Sequence, residues 1–235
     1  MRLLLLSNSC NFEMGYLEHA GPMIKDYLGA SVKRVAFVPY AGVTIDWDTY
    51  TTMVSERFHE MGYDMSSVHD AADPVAAING AEAIAVGGGN TFHLLETMYE
   101  TGVLEAVRER VSSGVPYMGW SAGSNVASPT IKTTNDMPVV EPRSFDAIGA
   151  VAFQINPHYT DAGLPKHQGE TRGDSIAEFV EVNPGVAVVG LREGSALRIE
   201  GKQISLLGDK DLVLFKKGDE PREISPGESL GFLME

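Results

Sequence analysis

The sequence has one cysteine and no long apolar segment, and both features bear on the cellular location of the protein. Because Cys10 is the single cysteine, the chain cannot form an internal disulfide, which favours a reducing cytoplasm. No apolar run approaches the roughly 18 residues needed to cross a bilayer. The apolar run at residues 3–6 is too short for a signal peptide, and polar residues follow it at once. We therefore expect a cytoplasmic protein without a membrane anchor.

Basic residues are also scarce. The chain has 18 Lys and Arg against 32 Asp and Glu, a formal net charge of −14 at pH 7. This balance argues against nucleic-acid binding, which needs a basic face. An anionic substrate would need a local cation to overcome the overall repulsion. The candidates near the segments of interest are Lys132, Arg143, Arg172 and Arg192.

Short apolar runs alternate with segments long enough for helices in the first half of the chain. This alternation predicts parallel strands covered on both faces, that is, a doubly wound α/β fold of the flavodoxin-like type. Such a fold binds ligands at the carboxyl ends of its strands. The predicted strands are residues 3–6, 35–38, 83–86 and 115–118, and the clearest predicted helices are residues 46–61 and 91–112.

The last third has a different pattern, with short strands separated by turns. It predicts hairpins added to one edge of the sheet, from strands at residues 186–189, 196–199, 204–207 and 212–215. Neither an internal repeat nor a Pro- or Ser-rich linker interrupts the chain. We therefore expect one α/β domain over residues 1–235.

A Gly-x-Ser-x-Gly motif follows the predicted strand at residues 115–118. There Ser121 suits a nucleophile elbow, a sharp strand-to-helix turn that exposes a serine hydroxyl. The motif occurs again around Ser229, where it overlaps the turn residues Pro226-Gly227 and ends four residues from the C-terminus. No strand precedes Ser229 and no helix can follow it, so Ser121 is the predicted nucleophile. The chemistry is then acyl transfer, most simply hydrolysis.

A serine nucleophile needs a base, and the base is best oriented by a carboxylate. Among the six histidines, His158 follows the apolar run at residues 151–155 and so lies at a strand end. Glu193 follows another such run and is the favoured carboxylate, with Asp136 as the alternative. The remaining histidines are His19, His59, His69, His93 and His167.

Three consecutive glycines at residues 87–89 follow the predicted strand at residues 83–86. They do not match a dinucleotide-binding motif, because Phe92 occupies the place of its last glycine. An oxyanion hole is the better use, in which a backbone N–H of Gly88 or Gly89 acts with that of Ala122. Asn90 or Thr91 would cap the following helix.

Seven segments in the same order resemble the peptidase E family of serine peptidases. They span most of the chain and are residues 3–9, 37–44, 86–92, 119–123, 133–138, 154–158 and 169–172. The resemblance implies a fold similar to class I glutamine amidotransferases, with Ser121 in place of their cysteine. Arg192 differs from the proline expected before the catalytic carboxylate, and the match weakens after Gly194.

The resemblance also implies an activity, the hydrolysis of dipeptides with an N-terminal aspartate, without metal or cofactor. Ser121, His158 and Glu193 would be nucleophile, base and orienting carboxylate. Arg172 is the first choice for binding the aspartate side chain, because a guanidinium can bind a carboxylate through two hydrogen bonds. Asn90, Thr91 and Asp136 would complete the substrate site.

Three other functions are left open, of which a thiol amidotransferase is disfavoured because the residue at the turn is Ser121 and Cys10 lies far away in sequence. A hydrolase of the same family acting on β-aspartyl or cyanophycin-type bonds would share Ser121 and His158. A catalytically silent binding protein could use the same kind of sheet. The expected partner is a small peptide, and the chain is expected to act as a monomer or homodimer.

Overall fold

The computed structural model describes residues 1–161 and 169–234. Its larger sheet is built from seven strands: β1 (Arg2–Leu6), β2 (Arg34–Val38), β3 (Asp64–Ser67), β4 (Ala83–Val86), β5 (Tyr117–Trp120), β8 (Ala196–Glu200) and β9 (Gln203–Leu207). The spatial order is β3-β2-β4-β5-β1-β8-β9. The first five strands in this order are parallel, and β8 pairs antiparallel with both β1 and β9.

Helices cover both faces of this sheet, as predicted. The seven helices of the described residues are α1 (Gly21–Leu28), α2 (Trp47–Glu60), α3 (Pro74–Asn79), α4 (Thr91–Glu100), α5 (Val103–Ser112), α6 (Ala122–Asn125) and α7 (Arg172–Val182). In β1, Leu3 and Leu5 face the apolar cluster that includes α3, α4 and α5. Leu4 and Leu6 face the cluster that includes α1 and α2. Because successive side chains of a strand point to opposite faces, one continuous apolar strand supports both layers.

A second sheet was not predicted. It contains β6 (Gln154–Tyr159), β7 (Val188–Arg192), β10 (Leu212–Phe215) and β11 (Arg222–Ile224), in the order β11-β10-β7-β6. The prediction that all C-terminal strands add to the edge of one sheet is therefore correct only for the β8–β9 hairpin. In the second sheet β6 and β7 are parallel, so their carboxyl ends lie side by side.

Three predicted elements differ from the structure by more than one residue. The helix predicted at residues 91–112 is divided into α4 and α5 by Gly102, whose φ of 73° belongs to the left-handed region. The strand predicted at residues 115–118 begins at Tyr117 and continues to Trp120. The strand predicted at residues 186–189 is β7, which extends to Arg192. Strand β5 therefore ends directly before Ser121, and β7 ends directly before Glu193.

The two sheets meet through polar residues that follow β1. The Ser7 hydroxyl is fully buried, donates to the backbone oxygen of Leu191 at 2.7 Å and accepts from the backbone N–H of His158 at 2.9 Å. The Asn8 side chain accepts from the backbone N–H of Gly194 at 2.8 Å. The carboxyl ends of β6 and β7 are therefore held against the carboxyl end of β1. Within residues 1–161 and 169–234, no helix has the length and apolar character needed to cross a membrane.

Candidate active site

Ser121 lies at a sharp turn between β5 and α6. Its backbone has φ 53° and ψ −115°, a conformation that residues with a side chain rarely adopt. The turn leaves no room for side chains at the two flanking glycines. A Cβ at Gly119 would lie 2.2 Å from the backbone oxygen of Gly123, and one at Gly123 would lie 2.1 Å from that of Val86. The strand–turn–helix geometry predicted from Gly-x-Ser-x-Gly is thus present.

The structure brings Ser121, His158 and Glu193 into one hydrogen-bonded row. The Oγ atom of Ser121 is 2.9 Å from Nε2 of His158, and Nδ1 of His158 is 2.7 Å from Oε1 of Glu193. A carboxylate only accepts hydrogen bonds, so Glu193 assigns the proton of the neutral imidazole to Nδ1. Nε2 is then free to accept the serine proton. This is the geometry of a serine nucleophile with an oriented base.

His158 reaches this position through an irregular strand. The register between β6 and β7 shifts between Pro157 and Tyr159, and His158 has a positive φ of 54°. Its backbone N–H is held by Ser7. Neither Ser7 nor Asn8 was predicted to be a functional residue. Their polar side chains directly after an apolar strand were the signal that could have identified them.

Arg192 precedes Glu193, but its guanidinium is hydrogen-bonded to other acidic residues. Its guanidinium binds the carboxylates of Asp161 and Glu223 at 2.5 and 2.6 Å and the backbone oxygen of Asp211 at 2.7 Å. These hydrogen bonds raise the pKa of Arg192, although burial opposes them. Arg192 thus ties the end of β7 to neighbouring segments and leaves Glu193 to His158.

Asp136, the alternative carboxylate, lies at the N-terminus of α4. Its Oδ2 atom accepts from the backbone N–H of Thr91 at 2.7 Å and from the Thr91 hydroxyl at 2.6 Å. The Asn90 side chain caps the same helix by accepting from the backbone N–H of His93 at 3.1 Å. A negative charge is favourable at this end of a helix. Within the described residues, Glu193 and not Asp136 is the carboxylate hydrogen-bonded to His158.

The glycine turn lies directly against the serine. A Cβ at Gly88 would be 3.0 Å from the Cβ of Ser121, and Gly89 has a φ of 136°. The backbone N–H groups of Gly88, Gly89 and Ala122 make no hydrogen bond inside residues 1–161 and 169–234. Ala122 is the first residue of α6, where an N–H has no partner within the helix. These three groups are available as donors to an oxyanion.

A cavity of about 500 Å³ opens beside Ser121 and His158. Its wall is largely apolar and includes Val43, Ile45, Met53 and Val139, together with Gly88, Gly89 and Asn90. This volume is in the range of small-molecule sites. Thr91 and Asp136, predicted to bind substrate, are not among the described residues of this wall, and the same residues contribute no lysine or arginine to it.

Arg172 lies in a neighbouring cavity of about 430 Å³, with Lys132, Thr134, Asn135 and Asn156. The structure therefore does not bring Arg172 into the cavity of Ser121. A hydrogen bond connects the walls of the two cavities. The side chain of Asn135, in the second wall, donates to the backbone oxygen of Pro157, the residue before His158 in the first. Burial lowers the pKa of Arg172, and the charge of Asp136 opposes that effect.

The other histidines are not in the wall of the serine cavity as the structure describes it. His93 is bound through Nδ1 to the backbone oxygen of Tyr40 at 2.6 Å. His69 lies 3.0 Å from Asp48 and 3.2 Å from Asp70, the one group in the described part of the chain with the spacing of metal ligands. Both carboxylates are exposed and paired with the imidazole. His167 lies outside the described residues.

Comparison with known proteins gives concordant matches. The sequence model of Peptidase family S51 matches residues 3–207. A protein named Peptidase E from Nostoc sp. (strain PCC 7120) is 50% identical over 234 residues, covering 100% of this chain and 97% of the relative. Peptidase E of Streptomyces coelicolor is 50% identical over 236 residues, covering 100% and 96%. The crystal structure of a peptidase from an acI-B1 Actinobacterium superposes with a TM-score of 0.69 at 20% identity, covering 97% of this chain and 96% of that one, which shows a shared fold.

Proposed function

The chain belongs to peptidase family S51 and is a peptidase that acts on peptides, and we propose that it removes N-terminal aspartate from dipeptides with Ser121 as its nucleophile. The observation that carries the catalytic assignment is the row from Ser121 through His158 to Glu193, with distances of 2.9 and 2.7 Å. Ser121 and Glu193 directly follow β5 and β7, and His158 is the last residue but one of β6. The carboxyl ends of such strands are the usual place for a site.

The proposed reaction begins with attack of Ser121 Oγ on the peptide carbonyl carbon. His158 Nε2 takes the serine proton, and Glu193 stabilises the imidazolium that forms. The negative charge of the tetrahedral intermediate falls on the former carbonyl oxygen, where Ala122 and Gly88 or Gly89 donate hydrogen bonds. His158 then gives its proton to the leaving amine as the C–N bond breaks.

The aspartyl-enzyme is hydrolysed by the same groups. His158 takes a proton from water as the water oxygen attacks the ester carbonyl, and it returns that proton to Ser121 Oγ when the C–O bond breaks. Aspartate leaves with a free carboxyl group. The N–H donors act on the charge of this second intermediate as well, so each half-reaction depends on them.

The lining residues of the two cavities support the proposed substrate. The largely apolar wall near Ser121 suits an apolar leaving residue such as leucine. The aspartate side chain needs a cation, and Arg172 is the proposed partner. Its guanidinium is half-buried and makes no ion pair within the described residues. Arg172 would have to extend toward Ser121 when the substrate binds.

The test is hydrolysis of α-linked Asp-Leu by the purified protein with a metal chelator present. We expect release of leucine from α-Asp-Leu and slower or no release from β-Asp-Leu and Ala-Leu. Faster cleavage of the β-linked dipeptide would move the assignment to a β-aspartyl or cyanophycin-type hydrolase. If no dipeptide is cleaved and an acylating probe does not label Ser121, the silent binding protein is the better description.

Arg172→Ala is expected to raise KM for Asp-Leu by about 10- to 100-fold, the effect of losing a hydrogen bond to a charged group. The change in kcat should be small, because Arg172 does not touch the reacting atoms. Steady-state kinetics with Asp-Leu and Ala-Leu measures both. Lys132→Ala, which removes another cation of the same cavity, is the control. An equal loss of kcat/KM on Ala-Leu would make Arg172 a structural residue.

The cellular location and the partners are proposed from composition. The single Cys10 supports a cytoplasmic location, and the net charge of −14 supports the proposal that nucleic acid is not a partner. A monomer or a homodimer is proposed, and sedimentation of the purified protein distinguishes them.

A further inference from the structure

Three aromatic side chains connect the residue before the nucleophile to the glycine turn. The indole N–H of Trp120 lies 2.7 Å from the hydroxyl oxygen of Tyr16 and 3.1 Å from that of Tyr50. The two tyrosine hydroxyls are 2.9 Å apart. The Tyr50 hydroxyl donates to the backbone oxygen of Gly88 at 3.0 Å. From this arrangement we propose that Tyr50 is a positioning residue that holds the Gly88–Gly89 peptide in place as a donor of the oxyanion hole.

The direction of the hydrogen bonds follows from counting protons. A tyrosine hydroxyl has one proton to donate. Tyr50 donates its proton to Gly88, so Tyr16 donates to Tyr50 and itself accepts from Trp120. Hydrogen bonds that run in one direction polarise and strengthen one another. Burial raises the pKa of both tyrosines, so both hydroxyls keep their protons at neutral pH.

The Tyr50 hydrogen bond determines where the next N–H points. In a planar trans peptide the C=O of one residue and the N–H of the next point in opposite directions, and none of the described peptide bonds is cis. When Tyr50 holds the carbonyl of Gly88, the N–H of Gly89 is directed away from Tyr50. The same peptide lies against Ser121, since a Cβ at Gly88 would be 3.0 Å from the Ser121 Cβ.

The turn needs such a restraint because it consists of glycines. Glycine has access to more backbone conformations than any other residue, so an unrestrained Gly88–Gly89 peptide could rotate and remove its donor. The glycine at position 87 makes room for the restraint. A Cβ there would lie 2.6 Å from the Tyr50 hydroxyl oxygen. Tyr50 itself lies on α2 and is buried against Phe37 of β2, with ring centroids 5.2 Å apart.

This inference rests on the proposed function, and its experiment separates the two. Tyr50→Phe is expected to lower kcat for Asp-Leu by about 10- to 100-fold, less than the 10²- to 10³-fold typical of losing an oxyanion donor outright. KM should change less than about twofold, because the hole acts mainly on the transition state. Acylation of Ser121 by p-nitrophenyl acetate should slow in parallel, since it needs the hole but no aspartate.

Tyr27→Phe is the matched control. It removes a buried tyrosine hydroxyl that donates to the backbone oxygen of Tyr117 at 3.0 Å, at the opposite end of β5 from Ser121. We expect it to lower stability to urea as Tyr50→Phe does and to leave kcat within about threefold of the parent. Tyr16→Phe should have a smaller effect than Tyr50→Phe, because the bond to Gly88 remains.

Each outcome is decisive. Unchanged kcat and unchanged acylation in Tyr50→Phe would overturn the inference, and so would an equal loss of kcat in Tyr27→Phe. Failure of the parent to cleave Asp-Leu while p-nitrophenyl acetate still acylates Ser121 would remove the substrate assignment only, and the ester would then report on Tyr50. Failure of the parent to be acylated would overturn both the nucleophile and the oxyanion hole that Tyr50 is proposed to hold.

Discussion

Ser121→Ala is expected to lower kcat for Asp-Leu by at least about 10⁴-fold. The methyl group cannot form the acyl-enzyme, and no other hydroxyl among the described residues lies within hydrogen-bond distance of His158 Nε2. The N–H donors and the cavity remain, so the KM for Asp-Leu and the affinity for the product aspartate should change little. Alanine is also close in size to serine. Either residue is strained at the φ of 53° at position 121, so the substitution keeps the backbone strain as it is. Initial rates of leucine release give kcat, and calorimetric binding of aspartate checks that the site is intact.

Ser229→Ala is the matched control, because Ser229 occupies the second Gly-x-Ser-x-Gly of the same chain. Ser229 is exposed and lies between β11 and a 3₁₀ helix at Gly231–Met234, without a strand ending on it. The parent rate is expected for this variant. Full activity in Ser121→Ala would instead reassign the nucleophile.

Glu193→Gln is expected to lower kcat by about 10³- to 10⁴-fold with little change in KM, as when the carboxylate of a serine triad becomes an amide. An amide NH₂ facing Nδ1 would donate to it and leave the proton on Nε2. The imidazole could then no longer accept the proton of Ser121, although the side chains keep their shape. The measurement is the steady-state rate of Asp-Leu cleavage at neutral pH.

Asp136→Asn distinguishes the two carboxylates. It removes a charge that accepts two hydrogen bonds from Thr91 at the start of α4, so we expect a loss of unfolding free energy of about 0.5–2 kcal/mol, as for a lost helix cap. Urea denaturation measures that loss. The value of kcat should stay within about threefold of the parent. The assignment of Glu193 would be contradicted if Asp136→Asn lost kcat as severely as Glu193→Gln.

Much of the larger sheet can be predicted because buried parallel strands have a simple pattern. Residues 83–86 are apolar on both faces, and Gly87 ends the run. The second sheet has no such signature. Strand β6 has the mixed sequence QINPHY, and β7 is a short apolar run like those of the edge hairpin. Their pairing depends on contacts between residues about thirty positions apart. Local periodicity carries no information on which sheet a short strand joins.

The residues of the candidate site also differ in how far the sequence predicts them. Ser121, His158 and Glu193 follow or end strands, so position in the sequence together with family resemblance identifies them as candidates. Tyr50 lies on the buried side of a helix, where an aromatic residue is expected for packing alone. Its bond to Gly88 joins residues 38 positions apart. For Arg172 the residue type could be chosen from the sequence, because a guanidinium suits the substrate carboxylate. Its position in a second cavity could not be predicted from the sequence.

Ser121 and His158, the two ends of the proton transfer, share an unfavourable backbone conformation. Both have positive φ although neither is glycine, a conformation that costs about 1–3 kcal/mol each and persists only where surrounding contacts enforce it. Glycine at either position would relieve that cost and remove the chemistry. The native fold is thus less stable than its own topology allows, and selection for thermal resistance alone would work against the two residues that hydrolysis requires.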